Sequence, residues 1–337
     1  MAAQDGSAVD PHIEVYEPLI PGPEESWNES QFIWWSDKEK GVSGYHRIAH
    51  QPNRETAHIW NIVIADDGSY TRRNNDKLKY EDWMREGGKY SVEGVSIEHL
   101  EKGKIRVVVD QDGFEADIIF NDVYDALPLS DYVPEDRYHG FMTDISVAHF
   151  ECGGKVIGTV TFDGRTIEVD GTGHRDHSWG PRETQQIQTS NWMNGTTGPE
   201  FSMFLTSVAL FKNDVMKLGY IVENGKRSIV TDWDFRPMME VDGVTYTEGR
   251  GWFETEDNRK FDIEYNGLVG GAVVNHGEWI GFEGIMEYTA TEQNGTTEHK
   301  GRFLLERGVN CCGGKIFPGT MLNGANVDGT GTMKRAR

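Results

Sequence analysis

Short runs rich in β-branched and aromatic residues recur along this chain. Ile105-Arg-Val-Val-Val109, Ala116-Asp-Ile-Ile-Phe120 and Phe201-Ser-Met-Phe-Leu205 are examples. Asp-Gly or Asn-Gly pairs fall between such runs, at Asp67-Gly68, Asp112-Gly113, Asp163-Gly164, Asn194-Gly195, Asn224-Gly225, Asp242-Gly243, Asn266-Gly267 and Asn294-Gly295. These pairs favour the two-residue turns of β-hairpins. One segment, Tyr80 to Glu86, reads as a short helix, and nothing else sustains a helical period. The pattern predicts an antiparallel all-β protein of roughly 18–22 strands. So many strands close into barrels or pack as sandwiches rather than form one open sheet.

The chain of 337 residues suits two domains of ordinary size. Residues 1–25 carry Pro11, Pro18, Pro21 and Pro23 and read as an extended arm on the surface. A first β domain is expected over 26–185 and a second over 186–330, with a short tail from 331 to 337. The two halves show no evident internal repeat.

Composition narrows the partners. A net charge of −22 repels phosphate backbones and anionic membrane surfaces, so nucleic acid is not an expected partner. The three cysteines, Cys152, Cys311 and Cys312, show no zinc spacing, and two adjacent cysteines make poor disulfide partners. Reduced thiols in the cytoplasm are the expectation. No signal-peptide pattern opens the sequence, and no apolar run approaches a membrane span. With 15 Phe, 12 Tyr and 10 Trp, rings remain for a binding cavity after cores are built. Trp34, Tyr45, Trp179, Trp192, Phe204 and Trp279 are the candidates.

The densest chemistry runs from Gly171 to Arg182: Gly-Thr-Gly-His-Arg-Asp-His-Ser-Trp-Gly-Pro-Arg. It follows a hairpin-like stretch around Asp163-Gly164. With a two-residue turn, Phe162 faces Arg165. Stepping outward along both strands then puts Glu151 opposite Asp176, His149 opposite Ser178 and Gly153 opposite His174. Facing residues share a side of the sheet, so His149, Glu151, His174 and Asp176 point the same way. Two facing carboxylates cannot both ionise cheaply, and one keeps its proton to higher pH. The expected product is a carboxylic acid poised to donate, with imidazoles to orient or reload it.

Other readings stay open at this point. Glu151 and Asp176 are also placed to form ion pairs with Arg175, Arg182 or Lys155. His177 fits a hydrogen-bonded structural role, and Trp179-Gly180-Pro181 fits a corner between domains. Gly153-Gly154 with Gly171 and Gly173 can mark a bulge that switches faces, and a one-residue slip dissolves the cluster. His149-x-Glu151 with His174-x-Asp176 offers ligands for zinc or iron, but the usual metal spacings are absent, so no metal is expected. No Gly-x-Ser-x-Gly elbow or phosphate loop is present.

The central motif, preceded by His149-Phe-Glu151 and a Gly-rich hairpin, resembles the carotenoid 1,2-hydratase superfamily. That group includes kievitone hydratase-like proteins and lipocalin-like fungal Diels–Alderases. Glu25-Ser-Trp and Gly44-Tyr-His-Arg-Ile48 fit the same group. The resemblance implies two lipocalin-like β domains, a pocket at or between them, and no cofactor. It also implies that Asp176 is the proton donor. The aromatic residue two positions earlier is a tyrosine in the carotenoid enzymes and is His174 here, which argues for a smaller or more polar substrate.

The expected function is cofactor-independent hydration, isomerisation or cyclisation of an alkene in a terpenoid or other lipophilic molecule. Asp176 donates, Glu151 and His174 tune the proton, and His149 holds water or a substrate oxygen. Trp179 shapes the cavity, while His177 and Arg182 support the motif, Arg182 by tying it to the second domain. The alternatives are a non-catalytic lipocalin-like carrier and a metal-dependent lyase or hydrolase.

Overall fold

The computed structural model describes residues 4–133, 146–210, 215–239, 246–276, 279–295, 297–310 and 334–335. It divides into two units. One comprises Met1–Val63 and Tyr70–Thr184, the other Ile64–Ser69 and Gln185–Arg337. Both are all-β. Among the described residues no helix is long and apolar enough to cross a membrane.

The first unit contains β1 (Trp27–Asp37), β2 (Val42–Gln51), β3 (Thr56–Ala65), β4 (Tyr70–Lys79), β5 (Lys89–Val92), β6 (Val95–Glu101), β7 (Lys104–Gln111), β8 (Phe114–Asp122), β9 (Ala148–Phe162) and β10 (Arg165–Pro181). Their order in the sheet is β4-β3-β2-β1-β10-β9-β8-β7-β6-β5, with the two-residue strand Arg85–Glu86 outside β5. The chain therefore meanders, and its first strand pairs with its last. The sheet curls, with its two edges at β4 and at Arg85–Glu86.

The second unit contains β11 (Ile187–Gly198), β12 (Phe201–Leu210), β13 (Val215–Glu223), β14 (Lys226–Met239), β15 (Tyr246–Thr255), β16 (Lys260–His276), β17 (Trp279–Glu292) and β18 (Glu298–Asn310). Each pairs with the next, and β11 pairs with β18. This is an eight-stranded up-and-down barrel, the lipocalin-like architecture. Its interior holds Trp233, Phe253, Phe261, Phe303, Leu305 and further apolar side chains in one packed cluster. Although the halves lack evident sequence similarity, both follow one plan: a meander whose first strand is joined to its last.

Local sequence explains the elements. Ile105, Val107 and Val109 are buried on β7, and Phe114, Ala116, Ile118 and Phe120 on β8, while the residues between them are more exposed. Asp163 and Gly164 both have positive φ, 51° and 69°, as do Asn224 and Gly225 at 49° and 77°. This is the backbone that a two-residue turn of the favoured twist requires. Two other Asn-Gly pairs do not make turns. Asn194-Gly195 lies inside β11 and Asn266-Gly267 inside β16. A Cβ on Gly195 would sit 2.7 Å from the Arg302 carbonyl oxygen, so close strand approach, not a turn, requires that glycine. Asp242-Gly243 and the Cys311-Cys312 pair lie outside the described residues.

Two further expectations are corrected. Tyr80–Glu86 holds only one 3-10 turn, Asp82–Met84, because the five residues between the strands that end at Lys79 and begin at Arg85 leave room for no more than one turn. The N-terminal arm is not wholly a surface feature. Val15 and Leu19 are buried against Trp27, Phe150 and Trp179, and Glu14 is buried beside Arg175.

Candidate active site

The β9–β10 hairpin has the register that its two-residue turn dictates. Phe162 pairs with Arg165, Glu151 with Asp176, and His149 with Ser178, without a shift along its length. The glycines do not form a bulge. A Cβ on Gly173 would lie 2.0 Å from the Trp34 carbonyl oxygen, and one on Gly171 2.3 Å from that of Ser36. They let β10 approach β1 closely.

The pairing continues onto β1 and β2 and lays the site out in rows. Glu151, Asp176, Phe32 and Arg47 face one another in sequence, and so do Gly153, His174, Trp34 and Tyr45. Facing residues share a side. One face of four adjacent strands thus carries two carboxylates, two imidazoles, three aromatic rings and a guanidinium. Near the hairpin turn this face is exposed at Lys155, Ile157 and Thr159, whereas at its base Glu151 and His174 are fully buried.

Glu151 is held by both imidazoles. His149 Nε2 lies 2.9 Å from its Oε1, and His174 Nε2 lies 2.9 Å from its Oε2. Burial pushes the His149 pKa down to about 4 and also lowers that of His174. Near neutral pH both rings are therefore uncharged. A carboxylate is acceptor-only, so each ring presents Nε2–H to it. The same burial, reinforced by the negative charge of Glu151, raises the Asp176 pKa to about 6, while His149, Arg47 and Arg182 pull it the other way. The two carboxyl groups are thereby assigned different tasks: Glu151 accepts two hydrogen bonds, and Asp176 keeps a proton into the weakly acidic range.

Residues 14–303 match the family model described as a domain of unknown function, DUF7064. The chain belongs to that family. The match spans both units and begins at Glu14, so the buried part of the arm falls within it. No curated protein sequence matches. Solved structures do. Kievitone hydratase from Nectria haematococca is 13% identical, with a TM-score of 0.60 over 92% of this chain and 96% of its own. CghA in complex with Sch210972 is 12% identical, with a TM-score of 0.59 over 91% and 97%. A protein assigned as AttH from Nitrosomonas europaea is 12% identical, with a TM-score of 0.59 over 85% and 94%. At these identities the likeness is one of fold, and the two-unit lipocalin-like architecture is shared.

The structure of this DUF7064 chain groups the sequence candidates unevenly. His149, Glu151, His174, Asp176, Trp34 and Tyr45 share one face of the first unit, where Phe32 and Tyr45 stand 6.1 Å apart between ring centroids. Trp179 is three residues from Asp176 and so lies on the opposite face, which corrects its expected place beside the acid. It is fully buried, stacks on Phe150 at 5.6 Å and is a core residue. His177 lies on that opposite face too. Arg182 donates to Ser178 Oγ at 2.7 Å, within the first unit. Trp192 and Phe204 belong to the second unit, where they make an edge-to-face pair at 6.3 Å. Met193 and Leu205 point into the barrel, so their neighbours Trp192 and Phe204 face outward. The side chain of Trp279 lies outside the described residues.

Alternation also separates Arg175 and His177 from His174 and Asp176. Arg175 and His177 face the interior of the first unit. Arg175 binds Glu14 at 2.6 and 3.1 Å and Asp122 at 2.8 and 2.6 Å. His177 lies 3.5 Å from Glu14 and 3.9 Å from Glu29, which together raise its pKa against the opposing effect of burial. Sequence reasoning missed Glu14, Glu29, Tyr90 and Asp122, because each lies far from the motif along the chain and carries no local signature. Phe32 and Arg47 were missed too: they continue the Glu151–Asp176 row one and two strands beyond the hairpin, and which strands flank the hairpin is not written in its own sequence.

The metal-ligand question has a geometric answer. One donor atom each from His149, Glu151 and Asp176 lies within 4.8 Å of the others. That spacing fits a first-row divalent ion, with His174 orienting Glu151 from behind.

Proposed function

We propose that this protein is a cofactor-independent enzyme that protonates a carbon–carbon double bond in a terpenoid or other lipophilic molecule. Hydration, isomerisation or cyclisation follows. The observation that carries the reading is the division of labour between the facing carboxyls. Glu151 is occupied by two imidazole N–H groups, and Asp176 opposite it is held protonated to about pH 6. One of the proteins sharing this fold is named a hydratase, which agrees with the reading.

Asp176 gives its proton to one alkene carbon, and the π pair becomes the new C–H bond. The neighbouring carbon becomes cationic. The rings of Phe32, Trp34 and Tyr45 present electron-rich faces on the same side of the sheet, and Glu151 adds a fixed negative charge. Water then adds to the cation and returns a proton to the Asp176 carboxylate, which restores the acid. In an isomerisation the cation instead loses a proton from an adjacent carbon. In a cyclisation a second double bond captures it first.

The test is incubation with a panel of terpenoid alkenes in deuterium oxide. A single deuterium should enter the product at carbon, and Asp176→Asn should abolish turnover while ligand binding persists. Unchanged turnover in that variant would sink the donor role. A carrier would return every ligand chemically unaltered.

The donor spacing of His149, Glu151 and Asp176 supports a second reading, a metal-dependent lyase or hydrolase. In that case the purified protein holds stoichiometric metal and loses activity to chelators, whereas the acid mechanism is indifferent to chelators.

A further inference from the structure

The interior of the first unit carries a second polar cluster, on the opposite face of the same strands. Glu29 faces His50 across β1 and β2, and His177 faces Gln31 across β10 and β1. Tyr90 reaches in from β5 and donates to Glu29 Oε1 at 2.5 Å, while Arg85 pairs with the other oxygen. Three imidazoles surround the Tyr90 ring, with centroids at 5.9 Å for His50, 6.3 Å for His177 and 6.4 Å for His99. Tyr16 stacks on His99 at 4.7 Å, and Tyr80 lies edge-on to His50 at 5.6 Å.

None of the three imidazoles is hydrogen-bonded, and two of them, unlike His177, have no carboxylate within ion-pair distance among the described residues either. Both ring nitrogens of His50 and both of His99 are buried without a hydrogen-bond partner. Burial holds both histidines neutral, with pKa values near 3. A neutral imidazole has one donor and one acceptor. Leaving such groups unmatched is destabilising, so the cluster calls for a hydrogen-bonding occupant.

The surroundings define that occupant. The buried charges balance: Glu14, Glu29 and Asp122 are offset by Arg85, Arg175 and a His177 held toward its protonated form. A charged ligand would upset that balance, so the fit is to a neutral one. The unmatched atoms are both donors and acceptors, which a hydroxyl group satisfies in one stroke. The walls are the rings of Tyr16, Tyr80 and Tyr90, which favour a flat aromatic body. Tyr80 and Arg85 sit in the segment joining the two edges of the curled sheet, and Tyr80 is only half-buried. The donor atoms do not converge as metal ligands: among the described residues the one such group is that of His149.

We propose that the interior of the first unit is a second binding site, for a small uncharged phenol, lined by His50, His99 and Gln31 around Tyr90. It is separate from the Asp176 face and does not depend on the function proposed for it.

The experiment is a titration of the full chain with resorcinol, read on the imidazole nitrogens by long-range proton–nitrogen NMR, with toluene as the apolar control. Saturable shifts at both His50 and His99 are expected with resorcinol and not with toluene. His99→Phe should weaken resorcinol binding about five-fold or more, and Asp176→Asn should leave it unchanged. Absence of a saturable shift, as when only water fills the cluster, overturns the proposal, and so does an equal response to toluene. Should His99→Phe fail to fold, the comparison of the two probes on the wild-type protein decides the matter alone.

Discussion

Replacing Asp176 by Asn should change how stability depends on pH, and the size of the change follows from the site. In the unfolded chain the Asp176 carboxyl titrates near 3.8, and in the folded protein near 6. The folded state therefore binds the proton more tightly. Its stabilising contribution is fully present below 3.8 and is lost as the pH rises through about 6. That difference corresponds to about 3 kcal/mol in full. About 2 kcal/mol remains at pH 4 once the partial solvent access of Asp176 is allowed for. His149 works in the opposite sense. Its pKa falls from 6.5 to about 4 on folding, so its contribution is present above 6.5 and lost as the pH falls toward 4. In the wild-type protein the two nearly cancel: on folding at pH 5, one proton moves from His149 to Asp176, so two solvated opposite charges in the unfolded chain become a buried neutral pair. Asp176→Asn removes one side of this balance. The variant should match or exceed wild-type stability at pH 8 and fall below it by about 2 kcal/mol at pH 4. Urea unfolding of both proteins between pH 4 and pH 8, followed by tryptophan fluorescence with the slope held common, measures the gap. A gap that stays constant across this range would refute the assignment of a raised Asp176 pKa.

If Asp176 is the donor, kcat/KM should hold steady below about pH 6 and then drop roughly tenfold per pH unit, as a steady-state pH profile would show. Glu151→Gln removes a negative charge that helps keep Asp176 protonated, so the alkaline limb of that profile should move to lower pH, with carboxyl carbon NMR as an independent check. Gly173→Ala places a Cβ against the Trp34 carbonyl oxygen and should cost about 3 kcal/mol or more, read as a fall in Tm or a loss of soluble protein. Glu14→Gln takes one anionic partner from the fully buried Arg175. Asp122 still pairs with that arginine, so the loss should sit near the low end of the 3–5 kcal/mol typical of a broken buried pair, and urea denaturation would measure it.

Much of the candidate site was legible one residue at a time. The Asp163-Gly164 turn has one preferred geometry, strand residues alternate sides, and together they place Glu151 opposite Asp176 before any coordinates are known. The turn is local, so a local pattern suffices to set the register. The same rule misled at Asn194-Gly195 and Asn266-Gly267. At Asn194-Gly195 the glycine answers to a neighbouring strand, and nothing in the dipeptide shows that. Trp179 misled for a related reason: its place in the motif suggested the site, but its parity puts it in the core.

By itself, then, the sequence determined the all-β class, the hairpin register and the face shared by His149, Glu151, His174 and Asp176, because these depend on turn geometry and a period of two. Tertiary structure alone decided which strands flank that hairpin. It also brought Glu14, Glu29, Tyr90 and Asp122 to the reverse face of the motif. Those meetings depend on how a curled sheet joins its first strand to its last and on where the arm enters it. Long-range closure of that kind leaves no periodic trace along the chain.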